Sequence, residues 1–289
     1  MGDKKPQKKH GRRYIIHAAV LIIIIALFLD SRCRLVKTDY ELSYASLPQS
    51  FDGFRIVQLS DLHLSEFGRG NSRLIEKVSE QKPDIIVLTG DFLEKRAQKK
   101  PGEHTEKLRP LFEGLKKIAP CYFVSGNHEW ASGEIPELTA LLSELEIKYL
   151  HNEFVLLERE NEHIALAGVE DPNGPADMKR PNELAEIIKT NNPDIFTLML
   201  AHRNDFAVKY PDLPVNLVLC GHAHGGVVRL PAVGGVFGTE LDFFPKYDAG
   251  HFNEGGYDLI ISRGLGGYVP MPRLFNNPEI VTVILKSAN

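Results

Sequence analysis

Five short polar clusters along the chain could do chemistry: Asp61-Leu62-His63, Gly90-Asp91, Gly126-Asn127-His128-Glu129, Ala201-His202 and Gly221-His222-Ala223-His224. They offer imidazole nitrogens, carboxylate oxygens and one amide oxygen, a donor set suited to manganese, iron or zinc rather than calcium. In an extended strand Asp61 and His63 fall on the same side, because side chains alternate with a period of two, and the same spacing relates His222 to His224. Each pair is therefore expected to aim two donors at one point. The glycines at 90, 126 and 221 permit sharp turns and close backbone approach. Taken singly these signals are weak: a Gly-Asp step is commonly a plain turn, and a histidine such as His202 is commonly a hydrogen-bonded core residue. All five in one chain, each behind an apolar run, point to a metal-dependent centre.

The runs that must position them read as an alternation of strands and helices. Strands are expected at 54–60, 85–88 and 121–124, each ending at a polar cluster. Between them, Leu74, Ile75 and Val78 recur at helical spacing, as do Leu108, Leu111, Phe112, Leu115 and Ile118 behind Thr105 as a cap. A further helix is expected at 134–145 with Ile135, Leu138, Leu142 and Leu145 inward. Beyond it come short β-rich pieces at 154–157, 164–169, 195–201, 217–220, 259–262 and 280–285, interrupted by a helix at 182–189. This order fits an α/β fold of two packed sheets with helices outside, its site at the strands' carboxyl ends. The stretch 236–247 and the 268–272 stretch are apolar for connections, and each is expected either to wall a substrate or to cover a sheet edge.

The first fifty residues differ from the rest. Lys4, Lys5, Lys8, Lys9, Arg12 and Arg13 precede an apolar run from Tyr14 to Leu29. As a helix that run is about 24 Å long, slightly short of the ~30 Å hydrocarbon core, and its Ile, Leu, Val and Phe residues favour insertion by more than His17 opposes it. Asp30-Ser31-Arg32-Cys33-Arg34 follows where a cleaved leader would carry small residues, so the run is expected to stay as an anchor. The expected organisation is a basic cytoplasmic leader at 1–13, a transmembrane anchor at 14–29 and an extracytoplasmic catalytic domain at 30–289. Cys121 and Cys220 border apolar runs and are expected to be buried free thiols; no pair has metal-binding spacing. A net charge of −4 argues against an extended nucleic-acid surface.

The ordered set Asp61-x-His63, Gly90-Asp91, Gly126-Asn127-His128-Glu129, His202 and Gly221-His222-x-His224 resembles the calcineurin-like metallophosphoesterase superfamily, from about Leu35 to the C-terminus. The leader, the Ser60-Asp61-Leu62-His63 form and Ser262-Arg263-Gly264-Leu265-Gly266 make the chain most similar to a bacterial envelope-associated phosphodiesterase branch, which includes enzymes that cleave the diphosphate of UDP-2,3-diacylglucosamine. The resemblance implies a four-layer αββα sandwich and two divalent metal ions, manganese first, with iron, zinc or magnesium as alternatives. It implies that Asp61, His63 and His224 hold one ion and Asn127, His202 and His222 the other, with Asp91 bridging. Two ions roughly 3.5–4 Å apart can clamp phosphate oxygens and lower the pKa of a bridging water.

His128, just beyond Asn127, is then placed to protonate the leaving group or to bind a phosphate oxygen. In related phosphatases a carboxylate three residues after the bridging Asp orients this histidine; here that position is Glu94, one methylene longer than the usual Asp. Arg203 and Arg263 abut motif positions and are candidates for neutralising phosphate. The implied substrate is a phosphodiester or diphosphate, lipid-linked or nucleotide-linked. A phosphomonoesterase would need more basic residues beside the motifs than the sequence has, and a non-catalytic relative would have lost ligand positions that are all filled here.

Overall fold

A computed structural model of the chain describes residues 9–95, 100–175, 178–239, 242–254, 256–267 and 273–288. The leader ahead of Lys9 and the 268–272 stretch lie outside them. Helix α1 (Lys9–Cys33) carries the apolar run and continues it by a further turn past Leu29. Its segment Arg13–Cys33 has a mean hydropathy of 2.3 and is only 6% buried, long and apolar enough to cross a membrane.

After α1 come β1 (Val36–Tyr44), β2 (Arg55–Leu59), α2 (Ser72–Ser79), β3 (Ile85–Thr89), α3 (Glu103–Lys116), β4 (Cys121–Val124), α4 (Asn127–Ser132), α5 (Ile135–Glu144) and β5 (Lys148–Tyr149). The second half runs β6 (Glu153–Arg159), β7 (Glu162–Gly168), α6 (Pro181–Asn191), β8 (Thr197–Leu200), α7 (Phe206–Lys209), β9 (Leu217–Cys220), β10 (Arg229–Leu230), β11 (Gly234–Gly235), β12 (Gly250–Glu254), β13 (Tyr257–Ile261) and β14 (Glu279–Ser287). One six-stranded sheet has the order β1-β14-β2-β3-β4-β5, the other β12-β13-β9-β8-β7-β6, and β10 and β11 form a separate small hairpin.

Alternation along the central strands divides the core. Ile56, Ile85 and Val87 from the first sheet meet Leu198, Leu200, Leu217 and Leu219 from the second in a shared layer. Val57, Leu59, Ile86 and Leu88 face the other way, onto α2, α3 and α5. Met199, Val218, Leu259 and Ile261 likewise face α6. Strands buried on both faces read as unbroken apolar runs, which is why the sequence marks them clearly. The result is the expected helix–sheet–sheet–helix sandwich. Gln58 sits within the shared layer and joins the sheets, donating to Thr89 Oγ1 (3.0 Å) and the Cys220 carbonyl (2.8 Å).

Two details depart from the sequence expectations. β1 is a full nine-residue partner of β14 although most of its residues are polar. It lies at a sheet edge with one face in water, so only Tyr40, Leu42 and Tyr44 need to be apolar. Thr105 lies inside α3 and does not cap it: Gly102 is the N-cap, and the Glu134 carboxylate accepts the Thr105 N–H (2.9 Å) and hydroxyl (2.8 Å). Cys121 and Cys220 are buried and free as expected, while Cys33 is exposed.

Candidate metal centre

Every polar cluster stands at a strand's carboxyl end: Asp61 after β2, Asp91 after β3, Asn127 after β4, His202 after β8, and His222 and His224 after β9. Parallel pairing of β2 with β3 and of β3 with β4, and of β8 with β9 in the other sheet, brings these ends to one edge of the sandwich. The backbone there is not extended, so the expected period-two alternation is not what pairs the donors. Asp61 and His63 have φ of 52° and 47°, Asp91 57°, and His222 and His224 69° and 48°. Left-handed conformations of this kind are costly for residues with side chains and persist where surrounding contacts impose them. Here they turn each donor inward. The close approach expected of the glycines is present at all three: a Cβ on Gly90 would overlap the Gly126 backbone and His202 Nδ1. A Cβ on Gly126 would overlap the Asp91 carboxylate, and one on Gly221 would overlap Ser60 Oγ and Asp61 Oδ2.

The donors meet in two groups that share Asp91. In the first, His63 Nε2 lies 3.0 Å from His224 Nε2 and 3.8 Å from Asp91 Oδ2, and His224 Nε2 lies 3.4 Å from Asp61 Oδ1. In the second, His202 Nε2 lies 3.1 Å from Asn127 Oδ1, 3.1 Å from His222 Nδ1 and 3.2 Å from Asp91 Oδ2. Asp61, His63 and His224 could hold one ion, and Asp91, His202 and His222 another; all six are buried. His202 Nδ1 donates to the Thr89 carbonyl (2.8 Å), which fixes the ring with Nε2 toward the cluster.

The charges fit a cation. Burial pushes the Asp61 carboxyl up to about 6, in spite of His202, the Ser60 hydroxyl and the His222 N–H. Burial acts in the same direction on Asp91, but His202, with His63 and His128, holds it well below the usual carboxylate range. Burial pushes His63 down to about 3 and His222 and His224 well below the ordinary imidazole value, so these rings keep free lone pairs. Burial also opposes a charge on His202, but Asp91, Asp61 and Asp171 outweigh it and lift that ring to about 10. Two neutral imidazoles aimed at each other across 3.0 Å, beside buried carboxylates, are what a divalent ion would relieve.

The calcineurin-like phosphoesterase profile matches residues 54–226, the stretch that carries all the donors. The chain belongs to this family. A metallophosphoesterase of Bacillus subtilis named YkuE is 29% identical over 87% of this chain and 86% of its own length. The Escherichia coli phosphodiesterase YaeI is 32% identical over 80% of this chain and 82% of its own. A Danio rerio transmembrane protein with a metallophosphoesterase domain is 29% identical over 96% of this chain, which spans 63% of that protein.

Around this family core, the other expected residues divide. His128 lies at the cluster, its Nε2 3.9 Å from Asp91 Oδ2 and its ring edge-on to His63. Among the described residues His128 Nδ1 has no hydrogen-bond partner, so no hydrogen bond from Glu94 reaches that nitrogen. The carboxylate that organises this region is Glu129, buried at the end of the same motif. It accepts the N–H groups of Asp91 (2.7 Å), Phe92 (2.7 Å), Leu93 (2.9 Å) and Gly126 (2.7 Å). Those four bonds bind the turn after β3 to the turn after β4. Burial, reinforced by Asp91, raises Glu129 to about 7 against these donors.

Arg203 reaches the site, with Nη1 3.1 Å from His222 Nε2, and is gripped from behind by Asp171 (2.6 and 3.2 Å). Asp171 follows the apolar strand β7 as the other polar clusters follow theirs, a signal that could have found it. Arg263 does not serve the site. Its guanidinium pairs with Glu279 (2.8 and 3.0 Å) and reaches Thr38 on β1. Arg273, which carries no signal in sequence, is buried beside this edge and donates to the carbonyls of Gly266, Asn276 and Arg263. Burial draws its pKa down to about 10 against the pull of Asp61. In the 236–247 stretch Phe243 and Phe244 are exposed, while Tyr247 packs edge-on against Phe252 of the edge strand β12.

Proposed function

We propose that the chain is a membrane-tethered, two-metal hydrolase of phosphodiester or diphosphate bonds in a lipid-linked or nucleotide-linked envelope substrate. The observation that carries this reading is the pair of buried donor groups that converge on the two sides of Asp91. Asp61, His63 and His224 would hold one ion and Asn127, His202 and His222 the other, with Asp91 standing between the two groups. Bound there, divalent ions supply positive charge for the phosphoryl oxygens and acidify the attacking water. His128 turns Nε2 toward the cluster and offers a proton or hydrogen bond to the leaving oxygen. Burial lowers its pKa against the pull of Asp91, so a proton held on this ring is readily given up. Glu129 holds the backbone that aims Asp91 and Asn127.

Arg203, fixed by Asp171, binds a phosphoryl oxygen from the His222 side. Beside it and His202 opens a cavity of about 610 Å³, room for the group that leaves. A diester suits the site better than a monoester, because a phosphate dianion asks for more cationic contacts, and Arg203 and Arg263 are both already paired with carboxylates. The name of the Escherichia coli relative, phosphodiesterase, agrees. Manganese is the proposed native ion, on the mixed nitrogen and oxygen donor set.

The test is chelation followed by reconstitution. Metal-stripped protein should lose hydrolysis of bis-aryl phosphates, aryl monophosphates and UDP-linked lipids alike. Manganese should restore it with close to two ions per chain by mass spectrometry, and the diester or diphosphate should recover the larger kcat/KM. Full turnover after prolonged dialysis against EDTA would sink the mechanism, and a larger kcat/KM for the monoester would sink the substrate class.

A further inference from the structure

Outside α1, the described residues expose eight large apolar side chains: Leu156, Ile187, Val208, Leu230, Val233, Phe243, Phe244 and Phe275. The first three stand singly on β6, α6 and α7, as surface apolar residues ordinarily do. The other five are gathered. Leu230, Val233, Phe244 and Phe275 line one open cleft with Pro231 and Pro245, and Phe243 packs on Phe237 next to it. The tip of the β10–β11 hairpin, Leu230-Pro231-Ala232-Val233, is apolar and exposed throughout, where hairpin tips are normally polar. Ala232, Phe244 and Phe275 have φ of 64°, 52° and 54°. Strained backbone that pushes aromatic rings into water is kept where a partner makes use of them.

The partner follows from what the patch adjoins. The C-terminal end of α1 is bound into the loop that carries Phe275. The Phe275 N–H donates to Ser31 Oγ (2.9 Å), and Asn277 Nδ2 donates to the Asp30 carbonyl (2.8 Å). The apolar run from Tyr14 to Leu29 is about 24 Å long as a helix, slightly less than a hydrocarbon core, so Asp30 and Ser31, and the loop they hold, lie where the bilayer ends. Whatever lipid covers α1 reaches the domain at Phe275. The same loop is fastened to the metal centre, since Asn276 Nδ2 donates to the carbonyls of His224 (2.7 Å) and Val227 (2.9 Å).

We propose that the 230–233 hairpin tip, Phe243, Phe244 and Phe275 form a second membrane-contact surface. It enters the headgroup region of the leaflet from which α1 emerges, so that the domain lies on the bilayer with its metal centre beside the lipid surface. Shallow insertion of Phe, Leu and Val beside a separate anchor is a familiar mode of interfacial binding. The inference rests on α1 lying in a membrane and not on the proposed reaction.

Single cysteines placed at Val233, Phe244, Ile24 and Glu113 of the full chain, each in a Cys33→Ser background, can be labelled with an environment-sensitive fluorophore. The proteins are reconstituted into phosphatidylcholine vesicles containing a minority of phosphatidylglycerol. Labels at 233 and 244 should emit to the blue of the label at 113 and be quenched several-fold more strongly by shallow spin-labelled lipids, while the label at 24 is quenched by deep ones. If 233 and 244 stay as water-exposed as 113 while 24 is deep, the surface is wrong and the anchor stands. If 24 is also in water, the anchor and this inference both fail. A blue shift at 233 that grows with protein concentration and needs no lipid would assign the patch to a second copy of the chain and overturn the proposal. No outcome depends on turnover, so the hydrolytic reading is tested separately.

Discussion

His128 and Asn127 are neighbours on α4 but have different surroundings. Asn127 Oδ1 lies 3.1 Å from His202 Nε2, within the second donor group, whereas His128 Nε2 stands 3.9 Å from Asp91. His128→Ala should therefore keep close to two metals per chain while kcat falls ~10²–10⁴-fold, the usual worth of a positioned general acid. The loss should shrink for a nitrophenolate leaving group, which scarcely needs a proton, and Asn127→Ala should lower metal content directly. Equal slowing of poor and good leaving groups, or metal loss in His128→Ala, would show His128 to be structural. Glu129 makes a sharper case, because its carboxylate receives four backbone N–H groups. Glu129→Gln keeps the shape but turns an amide N–H₂ toward two of those donors. Each buried N–H left without an acceptor costs about 1–3 kcal/mol, so denaturant unfolding should show a loss of that order or larger, together with weaker metal occupancy. A variant as stable and as well metallated as the wild type would remove Glu129 from its positioning role.

At the scale of elements, what was legible in sequence followed burial. The strands β2, β3, β8 and β9 are covered on both faces, so their sequences are almost entirely apolar, Gln58 in β2 being the interior exception, and they end where the polar donors begin. β1 escaped because an edge strand needs apolar residues on one face only, and α4 because six residues are too few to show a helical period. The donor clusters were visible by type, but the left-handed turns that aim them were not, since Asp and His, though enriched at positive φ, adopt it in only a small minority of cases. Thr105 had the right chemistry for a cap but lies within the first turn of α3, and the group that serves the helix start comes from 29 residues further on. Glu134 accepts from the Thr105 N–H and hydroxyl, both buried, and so ties α3 to the start of α5. Glu134→Ala should cost about 1–3 kcal/mol in unfolding while hydrolysis of a soluble diester is unchanged at moderate temperature. Equal stability would mean that water or another group serves α3 as well.

At the scale of the whole molecule, the sandwich hangs from a single helix whose apolar segment is only 6% buried among the described residues. Which side of the membrane the domain occupies is set by the basic residues close to the helix ends. Six, from Lys4 to Arg13, precede Tyr14, against Arg32, Arg34 and Lys37 after the apolar run. By that rule the larger cluster should stay in the cytoplasm and the domain should lie outside, where the exposed Phe243, Phe244 and Phe275 of the proposed contact surface would meet the outer leaflet. Protease added to intact spheroplasts should then digest the domain and leave a protected fragment that carries an N-terminal tag. Reversal of the leader, with its six basic residues changed to Gln, should lower the fraction digested, because the remaining Arg32, Arg34 and Lys37 then favour the opposite orientation. If the domain resists protease until lysis, under conditions in which an external control is cut, the orientation is reversed and the substrate must be sought on the cytoplasmic face.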